Sequence, residues 1–123
     1  MLHKELTSEI INAFYTVYNA LGYGFLEKVY ENALTHELNQ RDLRVQQQKP
    51  IKVYYDGVVA GEYFADLLVE DKVIVELKAA KAISEGYKAQ LINYLKATGI
   101  EVGLILNFGP KPTFDRKIFT TKQ

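Results

Sequence analysis

One hundred and twenty-three residues are enough for one domain with a real core and too few for two ordinary domains, so residues 1–123 read as a single unit. A composition of 48% hydrophobic and 24% charged residues excludes a disordered or fibrous chain; the absence of cysteine excludes a disulfide framework, a thiolate zinc site and a cysteine nucleophile. Fifteen basic residues balance fifteen acidic ones, so any grip on a polyanion must come from local clustering of positive charge.

The lack of cysteine fits a reducing cytosol. The opening MLHKELTSEI has no long apolar run, so neither a secretory signal nor a membrane anchor is expected. No stretch approaches the roughly 20 apolar residues that span a bilayer, and a cytoplasmic location is the expectation.

Residues 7–24, TSEIINAFYTVYNALGYG, place Ile10, Ile11, Phe14, Val17, Tyr18 and Leu21 at helical spacing. Thr7 or Ser8 is positioned to cap that helix, and Gly22 and Gly24 to end it. A second helix follows in FLEKVYENALTHELNQRDL, with Leu26, Val29, Tyr30, Ala33, Leu34, Glu37 and Leu38 read as its buried stripe. PIKVYYDG then predicts a strand starting at the proline and ending in an Asp56-Gly57 turn. GEYFADLLVEDKVIVELKAA reads as two further strands around Glu70-Asp71-Lys72, which completes an antiparallel meander.

SEGYKAQLINYLKATG is helical, from an N-cap at Ser84 to a C-cap at Gly99. EVGLILNFG is too apolar to have a wet face and belongs inside the sheet. GPKP is a loop, and FDRKIFTT predicts a short edge strand. A helix between the third and fourth strands implies a crossover, which lets those two run parallel. The fold class is therefore α/β: a small mixed sheet, antiparallel meander plus parallel strand, flanked by helices.

Chemistry concentrates where an apolar strand ends in Glu76 and Lys78. In that strand Val73, Val75 and Leu77 share one face, and Ile74, Glu76 and Lys78 the other. In the preceding strand Ala65, Leu67 and Val69 are expected on one face, with Phe64, Asp66 and Leu68 on the other. A three-residue loop would set Val69 opposite Val73 and Asp66 opposite Glu76; a two-residue loop would separate the carboxylates across the sheet. Two opposed carboxylates repel and destabilise a sheet unless a cation lies between them. Their hard oxygens suit magnesium or manganese better than zinc.

Taken alone, Glu76 and Lys78 read more readily as solvated residues at a strand end. Gln90 and Tyr94 weigh against that reading, because an i, i+4 pair on the following helix projects both side chains from one face. Glu27 lies one position off the apolar stripe of the second helix; by composition it reads first as an exposed helix glutamate, though from there a carboxylate can reach the sheet. Lys72, Lys78, Lys81, Lys88 and Lys96 are nearby candidates for phosphate contact, and equally for a solvated face.

Asp66 followed ten residues later by Glu76-Leu77-Lys78 resembles the PD-(D/E)xK nuclease superfamily. Gln90-Leu91-Ile92-Asn93-Tyr94 looks like the QxxxY element of its RecB-type branch, and GFLEKVYE, with Gly24, Glu27 and Tyr30, is similar to the signature of the GxxExxY proteins. The likeness runs from the first helix through GLILNFG, and departs from the name-giving motif in having Phe64-Ala65, with no proline, before Asp66. It implies a restriction-endonuclease-like core that hydrolyses nucleic acid, DNA in preference to RNA, with Mg2+ or Mn2+. By this resemblance Asp66, Glu76, the main-chain carbonyl of Leu77 and Glu27 bind metal. Lys78 positions or activates water, and Gln90 and Tyr94 hold the substrate backbone or the lysine. Small size and neutral charge leave a second reading open: a weak or inactive binding module on the same fold, acting as a homodimer or beside a larger nucleic-acid enzyme.

Overall fold

The computed structural model describes residues 2–120. Three helices, α1 (Lys4–Leu21), α2 (Glu27–Gln40) and α3 (Glu85–Thr98), surround a five-stranded sheet. The strands are β1 (Val45–Tyr55), β2 (Val58–Val69), β3 (Val73–Lys78), β4 (Val102–Phe108) and β5 (Pro112–Ile118), and they lie in sequence order across the sheet. All neighbours are antiparallel except β3 and β4, which run parallel because α3 carries the chain back over the sheet between them. This is the mixed α/β architecture the sequence implies.

The middle of the sheet, β3 and β4, is buried on both faces. On one side α1 and α2 pack Phe14, Tyr30, Leu34 and Leu38 onto Val73, Val75, Leu77, Leu104 and Phe108. On the other α3 sets Leu91, Tyr94 and Leu95 against Ile51, Leu68, Ile74 and Ile105. Strand β4 is covered from both sides along its whole length, as its unbroken apolar run requires. Gly103 lets α3 approach closely: a Cβ there would stand 2.6 Å from a methyl carbon of Leu91. No described helix is long and apolar enough to cross a membrane.

Turn chemistry falls largely where the sequence puts it. Asp56 and Gly57 both take positive φ, 56° and 80°, the conformation a two-residue hairpin needs. Ser84 caps α3 by accepting the Tyr87 N–H, and Gly99 closes it.

Five expectations need correction. Helix α1 begins at Lys4 after a left-handed His3, so Thr7 and Ser8 do not cap it; the Thr7 hydroxyl instead donates to the carbonyls of His3 and Lys4. In α2 the buried line is Tyr30, Glu31, Leu34 and Leu38, while Leu26 is 81% exposed and Val29 also faces solvent. The helix meets the sheet from Tyr30 onward. Strand β1 starts at Val45 and carries Pro50 within it, which an edge strand tolerates because one row of its N–H groups has no partner. Ala65 packs with Leu68 and Ile74 beneath α3, apart from Leu67 and Val69, which join the opposite layer. The alternation breaks because the β1–β2 register skips the Gln48–Asp66 position, where Gln48 takes φ 54°. At the chain's end the edge strand forms from Pro112, two residues before the expected start; Thr121 lies outside the described residues.

Candidate active site

The β2–β3 connection is the three-residue loop, and it pairs Val69 with Val73, Leu68 with Ile74 and Leu67 with Val75. The regular ladder stops there. One step further, the Asp66 N–H donates to Glu76 Oε2 at 2.8 Å and the Leu77 N–H donates to Asp66 Oδ2 at 2.8 Å. Two carboxylates thus take the place of two ladder carbonyls and hold the strands together across the widening gap. The arrangement fixes both acids by main-chain donors, so neither can rotate freely away.

Glu76 is only 5% exposed. Burial, and after it the charge of Asp66, pushes its pKa up to about 8. Asp66 is raised as well, chiefly by burial, with the charge of Glu31 adding to the effect; the Leu77 N–H and the Gln48 amide pull the other way. Lys78 lowers both acids through its charge, but its Nζ rests 4.5 Å above the Tyr87 ring of α3 rather than on a carboxylate. Tyr94 stands beside the same pair: burial first, then the charges of Glu76 and Asp66, pushes its hydroxyl up to about 12. The α3 residues Gln90 and Tyr94 share a groove described below, and no hydrogen bond joins Gln90 to the acids among the described residues.

A buried Glu76 and a half-buried Asp66, each disfavouring the charge of the other, form a site that a proton or a cation would relieve. All the side-chain donors are oxygens, and the nearest cation is one lysine held on an aromatic ring. That donor set fits a hard divalent cation better than it fits zinc or copper. Glu27, exposed on the first turn of α2, contributes through space, since its charge also raises Glu76. It is not gathered with the others: among the described residues no three His, Cys, Asp or Glu side chains lie close enough together to hold a metal. The structure brings Asp66, Glu76 and Leu77 into direct contact, sets Tyr94 beside them, and leaves Glu27 and Gln90 at the margin.

Sequence reasoning missed the polar network behind Asp66. Glu31 is 5% exposed and accepts from Lys28 at 3.1 Å, Gln47 at 2.8 Å and Gln48 at 2.9 Å. The same Gln48 amide reaches Asp66 Oδ1 at 3.3 Å, so one side chain bridges the two carboxylates. A signal for Glu31 existed, since it follows Glu27 by four residues and so shares its helix face. None existed for Gln48, whose role depends on a left-handed backbone inside a strand. Asn107 was also missed. Fully buried on β4, it accepts the Ala80 N–H and donates to the Ala80 carbonyl, both at 2.9 Å, and thereby fixes the segment just beyond Lys78.

A groove of about 870 Å3 opens between the β1–β2 arm and α3. Gln90, Asn93, Tyr94 and Lys96 line its helical wall, and Lys52, Tyr54, Gly61 and Tyr63 its sheet wall. The Tyr63 and Tyr94 rings meet there with centroids 5.8 Å apart.

Comparison with known proteins places this geometry. The model of the PD-(D/E)XK nuclease superfamily matches residues 4–118. Among solved structures the chain is similar to the crystal structure of SSO0001, with a TM-score of 0.57 and 16% identity. That similarity covers 98% of this chain and 61% of the other, so this chain spans about three-fifths of that protein's length and the likeness concerns the fold alone. No curated protein matches.

Proposed function

Because the chain belongs to the PD-(D/E)XK nuclease superfamily, we propose that it hydrolyses phosphodiester bonds of nucleic acid, DNA in preference to RNA, with magnesium or manganese as cofactor. The observation that carries this reading is the reciprocal tie between Asp66 and Glu76, which holds a half-buried and a buried carboxylate together at the end of a strand pair. A divalent cation bound there would neutralise phosphate charge and make water acidic enough to attack near neutral pH.

Asp66, Glu76 and the Leu77 carbonyl are the groups that would hold it, and the likeness to GxxExxY proteins supports Glu27 as the third carboxylate. Lys78 orients the attacking water and offsets charge developing on the phosphate. Its ammonium, resting on the Tyr87 ring, is not locked into an ion pair and can turn toward a phosphate oxygen. Gln90 and Tyr94 hold the substrate backbone beside that lysine.

The test is cleavage of labelled single- and double-stranded oligonucleotides with Mg2+ or Mn2+. Asp66→Asn keeps an acceptor for the Leu77 N–H but loses the charge; cleavage should fall by about a thousandfold with an unchanged circular dichroism spectrum. Cutting at the wild-type rate by that variant sinks the reading. A second readout needs no turnover. Ca2+ or Mn2+ should raise the melting temperature of the wild type at pH 8 and leave that of Asp66→Asn in place.

A weak or inactive binding module is the second reading, and the exposed, ungathered position of Glu27 favours it. It predicts the cation-dependent melting shift without cleavage of any substrate.

A further inference from the structure

The groove between the β1–β2 arm and α3 is not explained by the chemistry at Asp66 and Glu76. We propose that it is the path of a single-stranded polynucleotide, which it grips by stacking bases on tyrosine. The inference rests on the nuclease reading for its purpose and goes beyond it in naming the form of the substrate.

Three observations carry it. The groove presents aromatic faces: Tyr54 is 62% and Tyr63 47% exposed. Aromatic rings left in water on a wall of an open groove cost solvation unless something covers them. Bases of a single strand can cover them, whereas those of a duplex are already stacked on one another. The second observation is charge. In a chain whose net charge is zero, Lys52 and Lys96 line this groove and, among the described residues, no acidic residue does. That is the local positive clustering a polyanion demands.

Continuity is the third. Tyr94 lies in the groove wall and packs in the same layer as Ile74, which precedes Glu76 by two residues on one face of β3, so the groove opens on the side of the sheet that carries the carboxylate. A strand lying in it would deliver its backbone past Gln90 to the reacting centre.

The experiment is fluorescence anisotropy in EDTA, which separates binding from cleavage, using a labelled 15-nucleotide dT strand, its RNA counterpart and a 15-base-pair duplex. The dT strand should bind at least tenfold more tightly than the duplex. Tyr54→Ala should weaken it by about tenfold or more, with Tyr54→Phe restoring most of the affinity because the ring remains. Lys52→Ala should reduce the slope of log affinity against log salt by about 0.7. RNA binding as tightly as DNA would make the groove a reader of single strands of either sugar and support the proposal; a strong preference for either strand over duplex supports it too.

Equal or tighter binding of duplex, or full affinity in Tyr54→Ala, overturns it. Since Tyr54 is an exposed residue near the hairpin tip, that variant tests contact and not folding. The two readings fail separately. Duplex cleavage with no Tyr54 dependence removes the groove and keeps the nuclease; single-strand binding without any cleavage does the reverse.

Discussion

The two ends of the β2–β3 hairpin are built on opposite terms. Near the loop, Leu68, Val69, Val73 and Ile74 pair in regular register and are sealed between the helical layers. Two residues along the same face, Glu76 is nearly as deeply buried as Ile74, yet carries a carboxylate whose neighbour is another carboxylate. The loop end gains stability from every atom it hides. The far end spends some of that stability to keep two like charges in low dielectric, a state that protonation or a cation relieves. One hairpin thus supplies both the rigid support and the strained group it supports.

The sharpest way to break the contrast is to neutralise the far end alone. Glu76→Gln keeps an oxygen acceptor for the Asp66 N–H; cleavage should drop by about a thousandfold in a gel assay, while the cation-free protein becomes more stable at pH 8.

The wild type itself should show the same strain in a pH series. Folded Glu76 keeps its proton up to about 8, against an ordinary value of 4.5. Between those values the folded Glu76 holds a proton that the unfolded one has lost, so its contribution to stability is full below about 4.5 and is lost as pH rises toward 8. Asp66, also raised, works in the same direction. Urea denaturation in EDTA should register a loss of up to about 5 kcal/mol across that window. Glu76→Gln should flatten most of it. A stability that rises with pH would mean the acids are already compensated.

The loop end should respond only in stability. Leu68→Ala removes side-chain volume from a position 4% exposed and should cost about 3 kcal/mol by urea denaturation. Cation affinity measured by calorimetry should not change.

A smaller effect tests the support behind Asp66. Gln48→Ala removes the amide that bridges Glu31 and Asp66. The change should weaken Mn2+ binding by about tenfold, with cleavage lowered in proportion and the fold retained. Since Gln48 is exposed, a large loss of stability there would point to its left-handed backbone, not its side chain, as the contribution that matters.

Much of this was legible residue by residue. The Asp56-Gly57 turn, the caps at Ser84 and Gly99 and the fully buried β4 follow from local rules that need only neighbours in the chain. The three-residue loop at Glu70-Asp71-Lys72 determined the register, and the register placed Asp66 beside Glu76. The face of Ala65 was misjudged because strict alternation assumes an unbroken ladder, and the ladder breaks at Gln48. The exposure of Leu26 and Val29 was misjudged because periodicity finds a stripe without saying how far along it the sheet extends. Glu31 escaped notice because a glutamate in a helix reads as solvated until its partners arrive from another segment.

By itself, then, the sequence determined the elements, their order, the parallel crossover and the pair of acids, since each depends on spacing within a few residues or on one loop length. Only the tertiary structure decided that Gln48 joins Glu31 to Asp66, that Lys78 rests on Tyr87 and that an aromatic groove leads to Tyr94. Those contacts unite side chains from separate segments, and their energy exists only once the helices have closed over the sheet and excluded the water between them.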